Sequence, residues 1–100
     1  MIHHVILWKL KDSIEQSEKN TIKANIKHHL EALNGVVPGL QSLRVITEGL
    51  PSSNADVMLD SILESEEALA GYQTHPKHVE AAGTYVRPYT EIRLCMDYRD

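Results

Sequence analysis

Residues 75–79, "HPKHV", contain two histidines three positions apart, His75 and His78, on either side of a proline and a lysine. Imidazole titrates near neutral pH, so a histidine can act as an acid or base, bind a metal, or satisfy a hydrogen bond at a helix end. A tyrosine, Tyr72, lies shortly before this segment in "AGYQT". The functional interpretation of the chain depends on which of these roles the histidines have.

Metal binding is the role that the sequence supports least. A separation of three positions suits one helix face, but Pro76 lies between His75 and His78 and interrupts helical geometry. No cysteine or pair of carboxylates nearby completes a set of ligands. We therefore expect neither a metal nor another cofactor here, and we assign no role to His28 and His29, which fall late in a predicted helix.

Four strands are predicted from alternating side-chain character. Residues 2–10 alternate with both faces largely apolar, which indicates a central strand covered on both sides. Residues 40–48 and 57–63 alternate as well, and they are close enough in the chain to pair as antiparallel neighbours. The last strand lies in "RPYTEIRLCMDYRD", where one face carries Thr90, Ile92, Leu94, Met96 and Tyr98.

Two helical regions separate these strands. Apolar residues recur at helical spacing through residues 14–34, and Gly35 is a natural left-handed cap at the end. Ser65, followed by two glutamates, predicts the start of a second helix, which ends near His75 because a proline follows. That proline can begin a further short helical turn, continuing to about Tyr85.

The order β-α-β-β-α-β predicts an α+β, ferredoxin-like fold in which two helices cover one face of a four-stranded antiparallel sheet. The first strand nevertheless carries Ile2, Ile6 and Trp8 on one side and Val5 and Leu7 on the other. The face without helices would then be a large exposed apolar patch, and such patches mark interaction sites. We therefore expect a homodimer that buries this sheet face, since two-fold dimers are the commonest closed assembly.

Composition narrows the class of protein. A length of 100 residues predicts one domain, residues 1–100. The net charge of −4 argues against a nucleic-acid partner, and the apolar runs are too short for a membrane span. The single cysteine, Cys95, and an N-terminus without signal-peptide features lead us to expect a cytoplasmic protein.

Four segments together resemble the stress-responsive A/B-barrel (Dabb) domain family. They are "HHVILWKLKD", "VPGLQSL", "YQTHPKHV" and "VRP", and they follow one another in the family's order over nearly the whole chain. The resemblance implies a ferredoxin-like fold that dimerises through its sheets into an α/β barrel. Most members have no known activity, but one enzyme of the family cyclises a linear polyketide by an aldol condensation.

The resemblance to that cyclase assigns roles to three residues. His78 matches the histidine that acts as general base, Tyr72 matches the tyrosine that assists it, and His4 matches a first-strand histidine near the pocket. Such a base can remove a carbon-bound proton acidified by a carbonyl, while a phenol hydrogen-bonds the developing enolate. Trp8, Met58 and Met96 depart from the cyclase pattern, so the resemblance implies a small β-carbonyl compound as the ligand without extending to the polyketide substrate.

Each of these residues also has a structural interpretation. His75 can be a polar helix end, and His78 can hydrogen-bond a backbone carbonyl at the barrel mouth. Tyr72 can be a packed core aromatic. Trp8, expected on the barrel-facing side of the first strand, can pack at the dimer interface or line a ligand cavity.

Three polar residues near the last strand leave further alternatives open. Arg87 and Arg93 can bind an anionic ligand, or they can pair with Glu91 or Asp97. Cys95 has no base at a fixed spacing, so a buried or packed thiol is expected.

Two classes of function follow from the sequence. The chain is either a small dimeric protein that binds an apolar molecule in the barrel or at its mouth, or a cofactor-independent cyclase or lyase. Only the enzyme requires His78 and Tyr72 to share one site.

Overall fold

The computed structural model describes residues 1–100 and has the predicted βαββαβ order, with the second helix broken in two. A π-type turn and a short 3₁₀ turn, residues 82–89, connect that second helix to the last strand. The prediction of a ferredoxin-like fold is confirmed. The elements are β1 (Ile2–Leu10), α1 (Gln16–Glu31), β2 (Leu40–Ile46), β3 (Val57–Leu63), α2 (Glu66–Thr74), α3 (Pro76–Ala81) and β4 (Thr90–Arg99).

The four strands form one antiparallel sheet in the order β2-β3-β1-β4. β1 is central, as predicted, and lies between β3 and β4. In its register, His4 faces Ser61 on one side and Asp97 on the other. This pairing fixes which side chains of β4 lie beside those of β1 on each face of the sheet.

The core lies between the helices and one face of the sheet. β1 contributes Ile6, Trp8 and Leu10 to it, and α1 contributes Ile26 and Leu30, all of them buried. Full burial of each such aliphatic side chain is worth roughly 1.5–3 kcal/mol. This packing holds the helices against β1.

The break between α2 and α3 follows from local chemistry. The Ser65 hydroxyl caps α2 by accepting a hydrogen bond from the Ala68 N–H, as predicted for a serine at this position. His75 ends α2 in an extended conformation, and its Nδ1 then accepts the Lys77 N–H at 3.1 Å at the start of α3. The interpretation of His75 as a polar helix end is therefore confirmed.

Some predicted boundaries are wrong by a few residues. α1 ends at Glu31 instead of near residue 34, because the following residues tighten into turns with hydrogen bonds three residues apart. Gly35 does have a left-handed φ of 79°, but it lies in those turns. α3 ends at Ala81, and the helical path continues as the π-type turn.

The sheet face without helices is apolar and exposed. Its largest exposed side chains belong to β4, where Leu94 is 62% and Met96 is 69% exposed, and Leu7 of β1 adjoins them. The predicted uncovered patch is thus present. Below, "outer face" means this side of the sheet, and "helix side" means the other.

Trp8 is not on the outer face. Its indole is buried on the helix side together with Ile6 and Leu10, so the expectation that it faces the barrel is wrong. Alternation separates the two sides of a strand, but here both sides are apolar, and the pattern gives no sign of which side the helices cover. None of the helices has the length and apolar character that crossing a bilayer requires.

Candidate functional site

Three of the four candidate residues meet on the helix side of the sheet. The ring centroids of Tyr72 and His78 are 4.4 Å apart, and those of His4 and Tyr72 are 5.9 Å apart in an edge-on arrangement. Tyr72 comes from α2, His78 from α3 and His4 from β1. The break at Pro76 redirects the chain so that the His78 imidazole packs against the Tyr72 ring.

His78 is half-buried and held in one tautomer. Its Nδ1 lies 3.2 Å from the Gln73 carbonyl oxygen. A carbonyl oxygen only accepts hydrogen bonds, so Nδ1 carries the proton and Nε2 keeps its lone pair. The hydrogen bond that the structural interpretation expected therefore also prepares the other nitrogen to act as a base.

The surroundings of His78 favour the neutral imidazole. Burial lowers the pKa of His78 below its ordinary 6.5, and the charges of Arg87, His4 and Arg93 lower it further, against the opposing effect of the Gln73 carbonyl. The neutral form of the His78 imidazole therefore predominates at neutral pH.

Tyr72 is fully buried, and its hydroxyl has no hydrogen-bond partner among the protein groups. Burial raises the pKa of the phenol, which keeps the proton on its oxygen. A buried hydroxyl normally has a partner, since leaving one without costs about 1–3 kcal/mol. The Tyr72 O–H is therefore a buried donor without a protein acceptor.

His4 is held between two strands. It is buried, and its Nδ1 contacts the Asp97 carboxylate of β4, while its backbone carbonyl accepts a hydrogen bond from the Ser61 hydroxyl at 2.8 Å. The carboxylate fixes the orientation of the ring. Sequence analysis did not identify Asp97 as a partner of His4, because their contact depends on the register between β1 and β4.

Cys95 adjoins this pair and is exposed, so the expectation of a buried or packed thiol is wrong. The helices do not extend over β4, so its side chains on the helix side are uncovered, and every β4 residue after Thr90 is exposed. Partial desolvation of the thiol and the nearby Asp97 carboxylate raise the pKa of Cys95, which disfavours the nucleophilic thiolate.

His4, Cys95 and Asp97 are also the one group of donors in the chain that could hold a metal ion. Their ligand atoms lie within 4.8 Å of one another, with the Cys95 sulfur 3.8 Å from His4 Nδ1 and 3.5 Å from Asp97 Oδ1. The set of one nitrogen, one sulfur and one oxygen is compatible with zinc. A metal would have to displace the contact between His4 and Asp97, which already satisfies both groups.

A cavity opens beside the cluster, between α2 and the end of β4. Its volume is about 400 Å³, and its lining includes Gln73, Asp97 and Leu69. Gln73 bears the carbonyl that orients His78, and Asp97 holds His4. Neither Tyr72 nor His78 lines this cavity, which adjoins them through those two neighbours.

Solved structures share this architecture. A dimeric protein of unknown function with a ferredoxin-like fold from Bacteroides fragilis superposes with a TM-score of 0.91 at 28% identity, covering 99% of this chain and 95% of that one. A Dabb family protein from Mesorhizobium loti gives 0.75 at 20% identity, with coverages of 99% and 95%. Hydroxynitrile lyase from Passiflora edulis gives 0.72 at 17% identity, with coverages of 97% and 90%.

Comparison with curated proteins gives no match. The model of the stress responsive A/B barrel domain, in contrast, matches residues 2–100. With this match and the fold and residues described above, the chain belongs to the stress-responsive A/B barrel (Dabb) domain family.

Proposed function

We propose that this chain binds a small β-carbonyl compound between α2, α3 and the sheet, and removes a proton from it without a cofactor. The observation that carries the proposal is the packing of the His78 imidazole, whose Nε2 is free, against the ring of Tyr72, whose buried hydroxyl has no protein hydrogen-bond partner. A protein that only packed these rings together would leave that hydroxyl uncompensated at a cost in stability.

The reaction follows from the two side chains. His78 Nε2 takes the proton from the carbon next to the carbonyl, and the electron pair of that C–H bond moves onto the carbonyl oxygen to form an enolate. The Tyr72 O–H donates a hydrogen bond to this oxygen, where negative charge develops. The enolate carbon can then form or break a carbon–carbon bond, and His78 returns the proton, as a cyclase or lyase requires.

His4 and Trp8 support the site without taking part in proton transfer. The Asp97 carboxylate holds the His4 ring edge-on to Tyr72, which positions the phenol. Trp8 is buried on the same side of β1 and belongs to the core that supports the sheet there. The Passiflora edulis neighbour is named a hydroxynitrile lyase, so this fold accommodates lyase chemistry in at least that protein.

A homodimer through the outer face is the second part of the proposal. Exposed Leu94, Met96 and Leu7 form a continuous apolar surface across β4 and β1. Two such faces packed about 10 Å apart would exclude water from it. The Bacteroides fragilis neighbour is described as dimeric. We also propose a cytoplasmic location, with which the single free cysteine is consistent.

The alternative is a dimeric protein that binds a small apolar molecule in the barrel or at its mouth and has no chemistry. The outer face favours it, because Leu94 and Met96 would line the space between the two sheets. The two functions place the ligand on opposite sides of the sheet, so binding and catalysis can be measured separately.

The experiment is deuterium exchange of methyl acetoacetate in D₂O, followed by NMR and corrected for the buffer-catalysed rate. We expect His78→Gln to lower the enzymatic rate by roughly 10²–10⁴-fold, the usual contribution of a general base. Tyr72→Phe should lower it by roughly 10²-fold, as for loss of one oxyanion donor. His29→Gln is the matched control, because the His29 ring stacks on Tyr85, with ring centroids 3.5 Å apart, and not on Tyr72.

Two results would oppose the proposal. Exchange by His78→Gln at the wild-type rate would remove His78 as the base. Binding of the ester without exchange by the wild-type protein would favour the alternative that lacks chemistry.

A further inference from the structure

Two arginines near the candidate base are unpaired. Of the four arginines in the chain, Arg87 and Arg93 form no ion pair within 4.0 Å, and the partners considered for them from the sequence, Glu91 and Asp97, do not pair with them. Asp97 is engaged by His4 instead. The other two arginines contact carboxylates, Arg44 with Asp60 and Arg99 with Glu66.

Arg93 lies on the side of the sheet where the candidate site is. In the register it faces Trp8, and it precedes Cys95 by two positions, so its side chain leaves β4 on the helix side. The next residues on that side are Cys95 and Asp97, which contact His4. Arg93 therefore continues the row of polar groups that flanks the cluster.

Arg87 lies in the segment that connects α3 to β4. It begins the short 3₁₀ turn after α3, the helix that carries His78. The charges of both arginines reach His78 and lower its pKa. Both are exposed, so their guanidinium groups are accessible from solvent.

Two guanidinium groups without a carboxylate partner, beside a neutral base, select for an anionic ligand. The planar fork of a guanidinium matches the two oxygens of a carboxylate, and such charge-assisted pairs are stronger than neutral hydrogen bonds. The chain as a whole carries a net charge of −4 and would repel an anion, so attraction must come from a local cationic region.

We propose that the substrate of this site is a carbonyl compound bearing a carboxylate, which Arg87 and Arg93 bind while the carbonyl oxygen faces Tyr72. This inference rests on the proposed function and specifies its substrate class. The arginines would also stabilise the enolate, since proton removal by His78 gives the bound molecule a second negative charge.

The test compares acetoacetate with methyl acetoacetate, which differ in the charge of one group. Binding is followed through the NMR signals of His78, and deuterium exchange is measured for both probes at constant ionic strength. We expect the wild-type protein to bind acetoacetate at least about tenfold more tightly than the ester, the scale of one charge-assisted hydrogen bond.

The variants Arg87→Gln and Arg93→Gln test whether these two side chains cause the preference for acetoacetate over the ester. Each should weaken acetoacetate binding by about tenfold, and should weaken binding of the ester much less, because the ester has no carboxylate. Arg44→Gln is the control, since Arg44 pairs with Asp60 on the outer face, and it should change neither probe.

The outcomes separate this inference from the proposed function. Suppose that the protein binds the ester as tightly as acetoacetate and exchanges both at the same rate, with exchange lost in His78→Gln. In that case the carboxylate inference is wrong and the acid–base function stands. Retention of the preference in the Arg87→Gln/Arg93→Gln double variant would also overturn the inference. If the wild-type protein exchanges neither probe, both proposals fail.

Discussion

Replacing Tyr72 with phenylalanine should stabilise the ligand-free protein. Tyr72 has 0% of its surface exposed, and its hydroxyl has no hydrogen-bond partner. A buried unsatisfied polar group costs about 1–3 kcal/mol. Phenylalanine removes that group and keeps the ring contacts with His78 and His4. We therefore expect the free energy of unfolding to rise by about 1–3 kcal/mol.

The gain is measurable by urea unfolding followed by circular dichroism. In a thermal unfolding experiment on a domain of this size, each kcal/mol of added stability raises the Tm by roughly 4–8 °C. Wild type and variant must be compared at one protomer concentration, because dimerisation contributes to apparent stability. Tyr85→Phe is the matched control: Tyr85 is only partly buried and stacks on His29, so a change within about 0.5 kcal/mol is expected.

A Tyr72→Phe variant that is less stable than wild type would refute this reasoning. The hydroxyl would then have a stabilising partner in the ligand-free protein, and it would not be free to bind a substrate oxygen. A variant that is both more stable and less active would show that the site trades stability for function.

Three further predictions concern the titration of His78, the outer face and two glycines. Because folding lowers the pKa of His78 below its ordinary 6.5, the unfolded chain binds that proton more readily, so stability should fall as the pH drops below about 6.5, and less steeply in His78→Gln by urea unfolding. Leu94→Glu should convert the dimer to a monomer in sedimentation velocity, whereas Leu50→Glu, at a position 76% exposed in a loop, should not; equal masses for the two variants would contradict the outer-face dimer. Gly39→Ala should destabilise by more than about 1 kcal/mol, because Gly39 has φ +81° and an added Cβ would lie 2.5 Å from an α2 side chain. Gly71→Ala, with open space in a helix interior, should stabilise by about 0.5–1 kcal/mol, and the opposite ranking in thermal unfolding would be evidence against the placement of α2.

Sequence periodicity was sufficient for the order of the elements. The alternation in β1 and the proline after α2 are local signals, and β1 and the break at His75 lie where those signals predicted. The end of α1 was placed too late, because turns that follow a helix carry the same apolar spacing for several residues, as Leu33 does.

The candidate site was only partly predictable, because local sequence patterns do not show which distant residues meet. His78 and Tyr72 lie near each other in the chain, and a resemblance to the family identified both. Asp97 and the unpaired state of Arg93 depend on strand register and on the position of distant helices, which no local pattern encodes. The exposure of Cys95 likewise follows from how far the helices extend over β4.

The most direct test of the account is the protonation state of His78, measured from the ¹⁵N chemical shifts of its ring in the ligand-free protein. The hydrogen bond from Nδ1 to the Gln73 carbonyl predicts a neutral ring at pH 7 that carries its proton on Nδ1, with a pKa below 6.5. That result would place a free Nε2 beside the Tyr72 ring. A ring protonated on Nε2 at pH 7, or a pKa above 6.5, would contradict the claim that His78 is the base of this site.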